Sequence, residues 1–145
     1  MSIYSKPSRL AVRFLTHLAR QRGDALHSVR EVSRATGISR PTSAKILQAL
    51  AKEGILESRK GPGGGFRLVS KPEELSLARI VAAVQGKDFF SECVGGWKGC
   101  SSSNPCPLHE SWSRVRGAME EFLAKTTLGD ILLDSEGVFL AKNRN

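Results

Sequence analysis

The chain has 145 residues, of which 40% are hydrophobic and 25% charged, the make-up of an ordinary globular domain with or without an appendage. No apolar run approaches the roughly 20 residues that span a bilayer. The opening Met1-Ser2-Ile3-Tyr4-Ser5-Lys6 lacks the apolar stretch of a signal peptide, so a cytoplasmic protein with reduced thiols and no membrane partner is expected. The net charge of +8 is uneven: residues 1–71 carry 14 Lys/Arg against 4 Asp/Glu, and residues 72–145 carry 8 against 10. Charge spread over a surface aids solubility; gathered in one half, it points to a polyanion-binding module joined to something with another task.

Pro7 to about Gln21 fits a first helix, with Leu10, Phe14 and Leu18 in one apolar row and Ala11, Leu15 and Ala19 in the next. Ser28-Val29-Arg30-Glu31 is a capping box opening a second helix, with Val29, Val32 and Ala35 facing inward. Gly37 turns the chain, and Ser39 caps a third helix whose buried stripe is Ala44, Leu47, Leu50 and Ala51. Two short helices about a glycine turn form a helix-turn-helix. The third helix then presents Ser39 at its start and Arg40, Thr42, Ser43 and Lys45 on its exposed face, a set suited to phosphates and base edges.

Residues 55–58 and 66–69 are short strand candidates around Arg59-Lys60-Gly61-Pro62-Gly63-Gly64-Gly65. Gly61, Gly63 and Gly64 let backbone N–H groups approach an anion, while Arg59, Lys60 and Arg67 supply charge. A nucleotide-binding phosphate loop would need a Gly-Lys-Ser/Thr ending and a helix directly behind it, and both are missing. A plain flexible hairpin is the bland alternative. After a helix-turn-helix, a basic glycine-rich hairpin is most simply a wing lying against the minor groove. The expected fold is mostly α with a small β-wing: a winged helix-turn-helix over residues 1–75, followed by a long C-terminal dimerisation helix.

In residues 76–134, Ser76 caps a helix with Leu77, Ile80, Val81 and Val84 on one stripe, ending near Gly86. A loop over about 87–107 leads to a long helix from about Leu108 to Lys125. Its Leu108, Trp112, Val115, Met119 and Phe122 recur at the spacing of a seam between two packed helices. The same helix of a second subunit is the economical partner, and a two-fold dimer suits a palindromic operator in double-stranded DNA. Thr127 to Leu132 suggests a further helical turn, and the tail over 135–145 has no pattern and is expected to be flexible.

Cys93, Cys100 and Cys106 are the only cysteines, and all lie in that glycine- and serine-rich loop, with His109 three residues beyond the last. Three thiols and an imidazole form a plausible set of ligands for a metal or an iron–sulfur cluster; inert structural cysteines are the bland reading. Zinc accepts such donors but usually with closely paired ligands such as Cys-x2-Cys. A cluster-free thiol switch is a further option. An iron–sulfur or cysteine enzyme is the remote one. Beside His109 the chain has only His17, expected on a helix flank, and His27, expected in a loop, with no paired base and orienting acid.

The run from Arg59 to Phe66, the early Arg9-Leu10-Ala11-Val12 and the loop Cys93…Cys100…Cys106-Pro107-Leu108-His109 together resemble the Rrf-type family of winged-helix transcriptional regulators. That group includes the IscR-like and NsrR-like iron–sulfur regulators. The resemblance covers roughly residues 3–133. It implies a dimeric repressor or activator with an iron–sulfur cluster near the dimer interface, sensing iron–sulfur status, nitric oxide, iron or redox stress. Cys93, Cys100 and Cys106 match the family's three cluster cysteines, and His109 stands where the IscR-like branch has its histidine ligand. A two-iron cluster (2Fe-2S) is thereby favoured over a four-iron one (4Fe-4S). NsrR-like members take a carboxylate from the start of the first helix, where this chain reads Ser8-Arg9-Leu10. Six residues separate Cys93 from Cys100, one more than usual in the family, an insertion that Gly95 and Gly96 absorb.

Overall fold

The computed structural model describes residues 5–21 and 23–132. Helix α1 (Lys6–Ala19) begins at Ser5, whose hydroxyl accepts the Ser8 N–H, with Pro7 in the first turn where its missing N–H costs nothing. Both expected apolar rows lie inward, and Phe14 and Leu15 are fully buried. The helix stops two residues short of the expected Gln21: the Arg20 N–H is shared between the Thr16 and His17 carbonyls, and the Gln21 N–H reaches back only three residues, to Leu18, tightening the last turn.

Helix α2 (Val29–Thr36) carries the expected capping box: Glu31 N–H donates to Ser28 Oγ at 3.1 Å, and Ser28 N–H donates to Glu31 Oε2 at 2.7 Å. Gly37 ends it in the left-handed region at φ 71°, which a side chain would oppose. Val32 is buried, but Ala35 faces solvent, contrary to the inward position expected of it. Helix α3 (Arg40–Lys52) starts after Ser39, whose hydroxyl donates to Thr42 Oγ1 rather than capping a backbone N–H. Its buried stripe is Ser43, Ile46, Leu47 and Leu50, rotated from the expected set that began at Ala44.

Strands β1 (Leu56–Arg59) and β2 (Gly65–Leu68) pair antiparallel, with Leu56 opposite Leu68 and Arg59 opposite Gly65. They lie one residue later and one residue earlier than expected. His27 adds a short third rung by exchanging two 2.8 Å backbone hydrogen bonds with Phe66. Gly65 makes this possible. Its φ is 146°, and a Cβ there would sit 2.5 Å from the His27 carbonyl.

Helix α4 (Leu77–Gln85) is capped by Ser76 as expected, through the Arg79 N–H at 3.2 Å, and ends at Gly86. The Gln85 side-chain oxygen accepts from the Ser5 N–H and the Ser8 hydroxyl, tying the end of α4 to the start of α1. Helix α5 (His109–Lys125) and the short α6 (Leu128–Leu132) follow, the latter opened by reciprocal bonds between Thr127 and Asp130. Backbone bonds from Leu77 to Thr126 and from Leu128 to Leu75, each 2.8 Å, pin the end of α5 to the start of α4. One hydrophobic cluster runs from Leu10 and Phe14 through Leu47 and Leu50 to Ile80, Leu123 and Leu128. The architecture is mostly α with a two-stranded wing. The tail over 135–145 lies outside the described residues.

Candidate DNA-binding face and cysteine loop

Four of the five α3 positions expected at DNA are accessible: Ser39, Arg40 and Lys45 are exposed and Thr42 half-buried. Ser43 is not. It has no exposed surface, and its hydroxyl points to the Ile38 carbonyl oxygen at 3.4 Å, so the exposed position expected of it is corrected to one inside the core. A small side chain at that point lets α3 sit close to the turn.

In the wing, Lys60, Gly61 and Gly63 are exposed and Gly64 half-buried. A Cβ on Gly64 would meet the Arg59 carbonyl oxygen at 2.2 Å, so the tight turn needs glycine there. Arg59 and Arg67 do not stand free. Both hydrogen-bond the Glu57 carboxylate, Arg59 Nε at 3.0 Å and Arg67 Nε at 2.6 Å. These hydrogen bonds, Arg67's first and then Arg59's, hold the Glu57 carboxyl below its usual range. Glu57 escaped the sequence reading, yet the signal was present: residues 57 and 59 share one side of a strand, and 67 is the cross-strand neighbour of 57. Between wing and α3 lies an open groove of about 550 Å³ lined by Ser28, Gln48, Arg59, Lys60 and Gly64 among others. Gln48 was also missed, although it follows Lys45 by one helical turn.

The loop between α4 and α5 gathers the chemistry expected of it. Its start is anchored by Phe90, which is buried and packs on Phe89 with ring centroids 4.4 Å apart. Gly96 and Gly99 turn the chain at φ 74° and 88°. The Sγ atoms of Cys93, Cys100 and Cys106 lie within 4.8 Å of one another, all half-buried. Cys93 and Cys106 are 3.7 Å apart, close to the roughly 3.8 Å expected of two thiolates on one tetrahedral metal with 2.3 Å bonds. His109, the first residue of α5, places Nδ1 3.3 Å from Cys100 Sγ. The donors thus fall into two pairs, Cys93 with Cys106 and Cys100 with His109.

The thiols differ electrostatically. Partial desolvation raises Cys93, but the N–H groups of Gly95 and Trp97 and the neighbouring thiols outweigh it and bring Cys93 below the usual thiol range. Cys106 is pushed above that range by desolvation and by its two thiol neighbours, against one opposing N–H from Leu108. His17 lies on α1 and His27 in the rung beside the wing, their rings 6.4 Å apart.

The expected seam of α5 divides into two faces. Leu108, Val115 and Phe122, seven residues apart, are 46%, 49% and 60% exposed. Trp112 and Met119 are half-buried against their own chain, and the Trp112 indole N–H donates to the Glu92 carbonyl at 3.2 Å. One side of α5 is therefore an apolar row without a partner among the described residues.

Helix-turn-helix, basic wing and thiol-bearing loop define a winged-helix regulator of the DNA-binding class. Residues 4–134 match the family Rrf2, described as iron-dependent transcriptional regulator. The chain belongs to this family. It is 29% identical over 136 residues to the HTH-type transcriptional regulator IscR of Aliivibrio salmonicida, covering 94% of this chain and 80% of that protein. Its fold is similar to that of IscR from T. potens (TM-score 0.71, 24% identity, 94% of this chain and 89% of that one). It is also similar to CymR, the global cysteine regulator of B. subtilis (TM-score 0.72, 23% identity, 94% and 100%). The chain is a transcriptional regulator and not an enzyme. Among the described residues no helix is long and apolar enough to cross a membrane.

Proposed function

We propose that this regulator works in the cytoplasm as a homodimer on a palindromic operator, and that it senses its signal through an iron–sulfur cluster held in the cysteine loop. Residues 1–75 read DNA, and residues 76–134 hold the sensor and the second subunit. On DNA, Arg40, Thr42 and Lys45 face the major groove from Ser39 onward, and Arg59, Lys60, Arg67 and the backbone of Gly61, Gly63 and Gly64 grip phosphates from the wing. The exposed row Leu108, Val115 and Phe122 meets its copy across the two-fold axis, with Trp112 and Met119 behind it.

The observation that carries the reading is the convergence of three thiols within 4.8 Å of one another, with the His109 imidazole 3.3 Å from one of them, Cys100. Cys93 and Cys106 would hold one iron of a two-iron cluster, and Cys100 and His109 the other. Bound there, the cluster supplies a redox-active group that is sensitive to oxidants and to nitric oxide. Iron–sulfur status, nitric oxide, iron and redox stress are the candidate signals. Leu108 stands between Cys106 and His109 and also belongs to the exposed row, so ligand geometry and subunit packing share one stretch of chain.

Anaerobic purification with visible absorption and iron and sulfide analysis tests this. The expected result is a coloured protein with about two irons and two sulfides per chain, whose spectrum shifts in His109→Ala. A colourless protein with one zinc per chain would replace the cluster by a Cys3His site. A colourless, metal-free protein that forms a Cys93–Cys106 disulfide on oxidation would favour the thiol switch that their 3.7 Å separation also suits.

A further inference from the structure

Two of the donors, Cys106 and His109, need no special device to stand together. His109 is the first residue of α5, and its N–H donates to the Cys106 carbonyl at 3.0 Å. Cys93 is different. It comes at the far end of a long loop rich in glycine and serine, and such a segment costs considerable entropy to fix. Something must bring Cys93 to α5, and the geometry points to Trp112 and Arg116 as its positioning residues.

The indole N–H of Trp112 donates to the carbonyl of Glu92, the residue directly before Cys93, at 3.2 Å. Arg116 Nη1 donates to the Phe90 carbonyl, also at 3.2 Å. Residues 112 and 116 lie one turn apart on α5 and share a face, and residues 90 and 92 present their carbonyls to that face. The two bonds form a clamp that lays the stretch before Cys93 along the helix that carries His109. The Cys93 sulfur then arrives 3.7 Å from that of Cys106. A half-buried ring with its polar handle satisfied suits a fixing role, and the arginine bond is charge-assisted. The seam spacing alone would make Trp112 a dimer residue; its N–H is instead spent within its own chain.

This inference rests on the reading of the three cysteines as one donor set, and its test separates the two. Trp112→Phe keeps a ring and removes the N–H, while Arg116→Met keeps the apolar stem and removes the donor. In the reduced, metal-free, full-length protein, alkylation of each cysteine is followed by mass spectrometry. Iron and sulfide retention is followed separately after anaerobic reconstitution. Alkylation of Cys93 should accelerate about fivefold in each variant, with Cys106 unchanged, the size expected from one lost hydrogen bond. Cluster retention should fall about tenfold, as for other partners behind metal ligands. Arg116→Lys, which keeps a donor, should return most of the wild-type rate. Cys93 reacting at the wild-type rate in both variants overturns the clamp. Equal acceleration of all three cysteines also overturns it, since that reports general loosening of α5. If the wild-type protein retains neither iron nor sulfide, the cluster reading fails while the alkylation contrast still decides the clamp.

Discussion

Because the Glu57 carboxylate takes hydrogen bonds from both Arg59 and Arg67, part of the wing's positive charge is already spent before DNA arrives. Glu57→Gln removes that competitor. The expected result is tighter binding to any duplex at low salt and a log–log salt slope steeper by up to about 0.9 for each arginine released. An unchanged slope in fluorescence titrations would show that both arginines already reach phosphates. The carboxyl's depressed pKa fixes the sign of the pH effect. The triad persists as pH falls through the ordinary 4.5 and is lost only below the lowered value of Glu57. A titration followed by NMR should place Glu57 below 4.5. Gly65→Ala belongs to the same scale: its Cβ would strike the His27 carbonyl, and thermal denaturation should show a loss of about 1–3 kcal/mol. Single residues were also where the sequence was least legible. Ser43 is as polar as its neighbours Thr42 and Ser39, and only the rotation of α3 in the finished core shows that it faces inward.

Helices and caps were legible because their signals are local. Ser28 with Glu31, Gly37, Ser76 and Gly86 each act within four residues of their own position, and all four mark helix ends in the structure. Element ends set by distant packing were read less well, and both strands are offset by one residue from the expected bounds. The elements also carry their own tests. Lys60→Glu in the wing should weaken binding to all sequences alike and lower the salt slope, whereas changes at Arg40 or Thr42 in α3 should alter which base pairs are preferred, by about 1–3 kcal/mol each. For α5, Val115→Asp or Phe122→Asp would put a carboxylate into the exposed apolar row where the second subunit is expected, at a cost of several kcal/mol. Sedimentation should then report a monomer with poor affinity for a two-fold site. A dimer of unaltered strength would place the subunit contact on another face.

Across the whole molecule, the cysteine loop is built into the same fold as the DNA-reading half. Gln85, the last residue of α4 before the loop, holds the start of α1, and α5 returns to the beginning of α4 through Thr126 and Leu128. The donor set was visible in the sequence because glycine and serine around three thiols signal a wrapped site. Its anchors were not visible, since Trp112 and Arg116 reach the loop only after α5 has packed beside residues 90–92. Cys93→Ser, Cys100→Ser and Cys106→Ser should each abolish stable cluster binding, because serine is a poor ligand for iron at neutral pH and at most three good donors remain. Full iron and sulfide in all three variants would remove the cluster from the account.

The central claim is that the state of this loop sets how well the two DNA-reading heads bind. It is tested most directly by one comparison: the affinity of cluster-loaded and metal-free protein, prepared side by side without oxygen, for the same palindromic site selected from random-sequence DNA. Coupling between a sensor and a binding face usually amounts to about 5–150-fold in affinity. A difference in that range between the two forms, abolished in Cys93→Ser, is the predicted result. Equal affinities for the loaded and metal-free forms would contradict the claim, leaving a DNA-binding protein whose cysteine loop has no say in how tightly it binds.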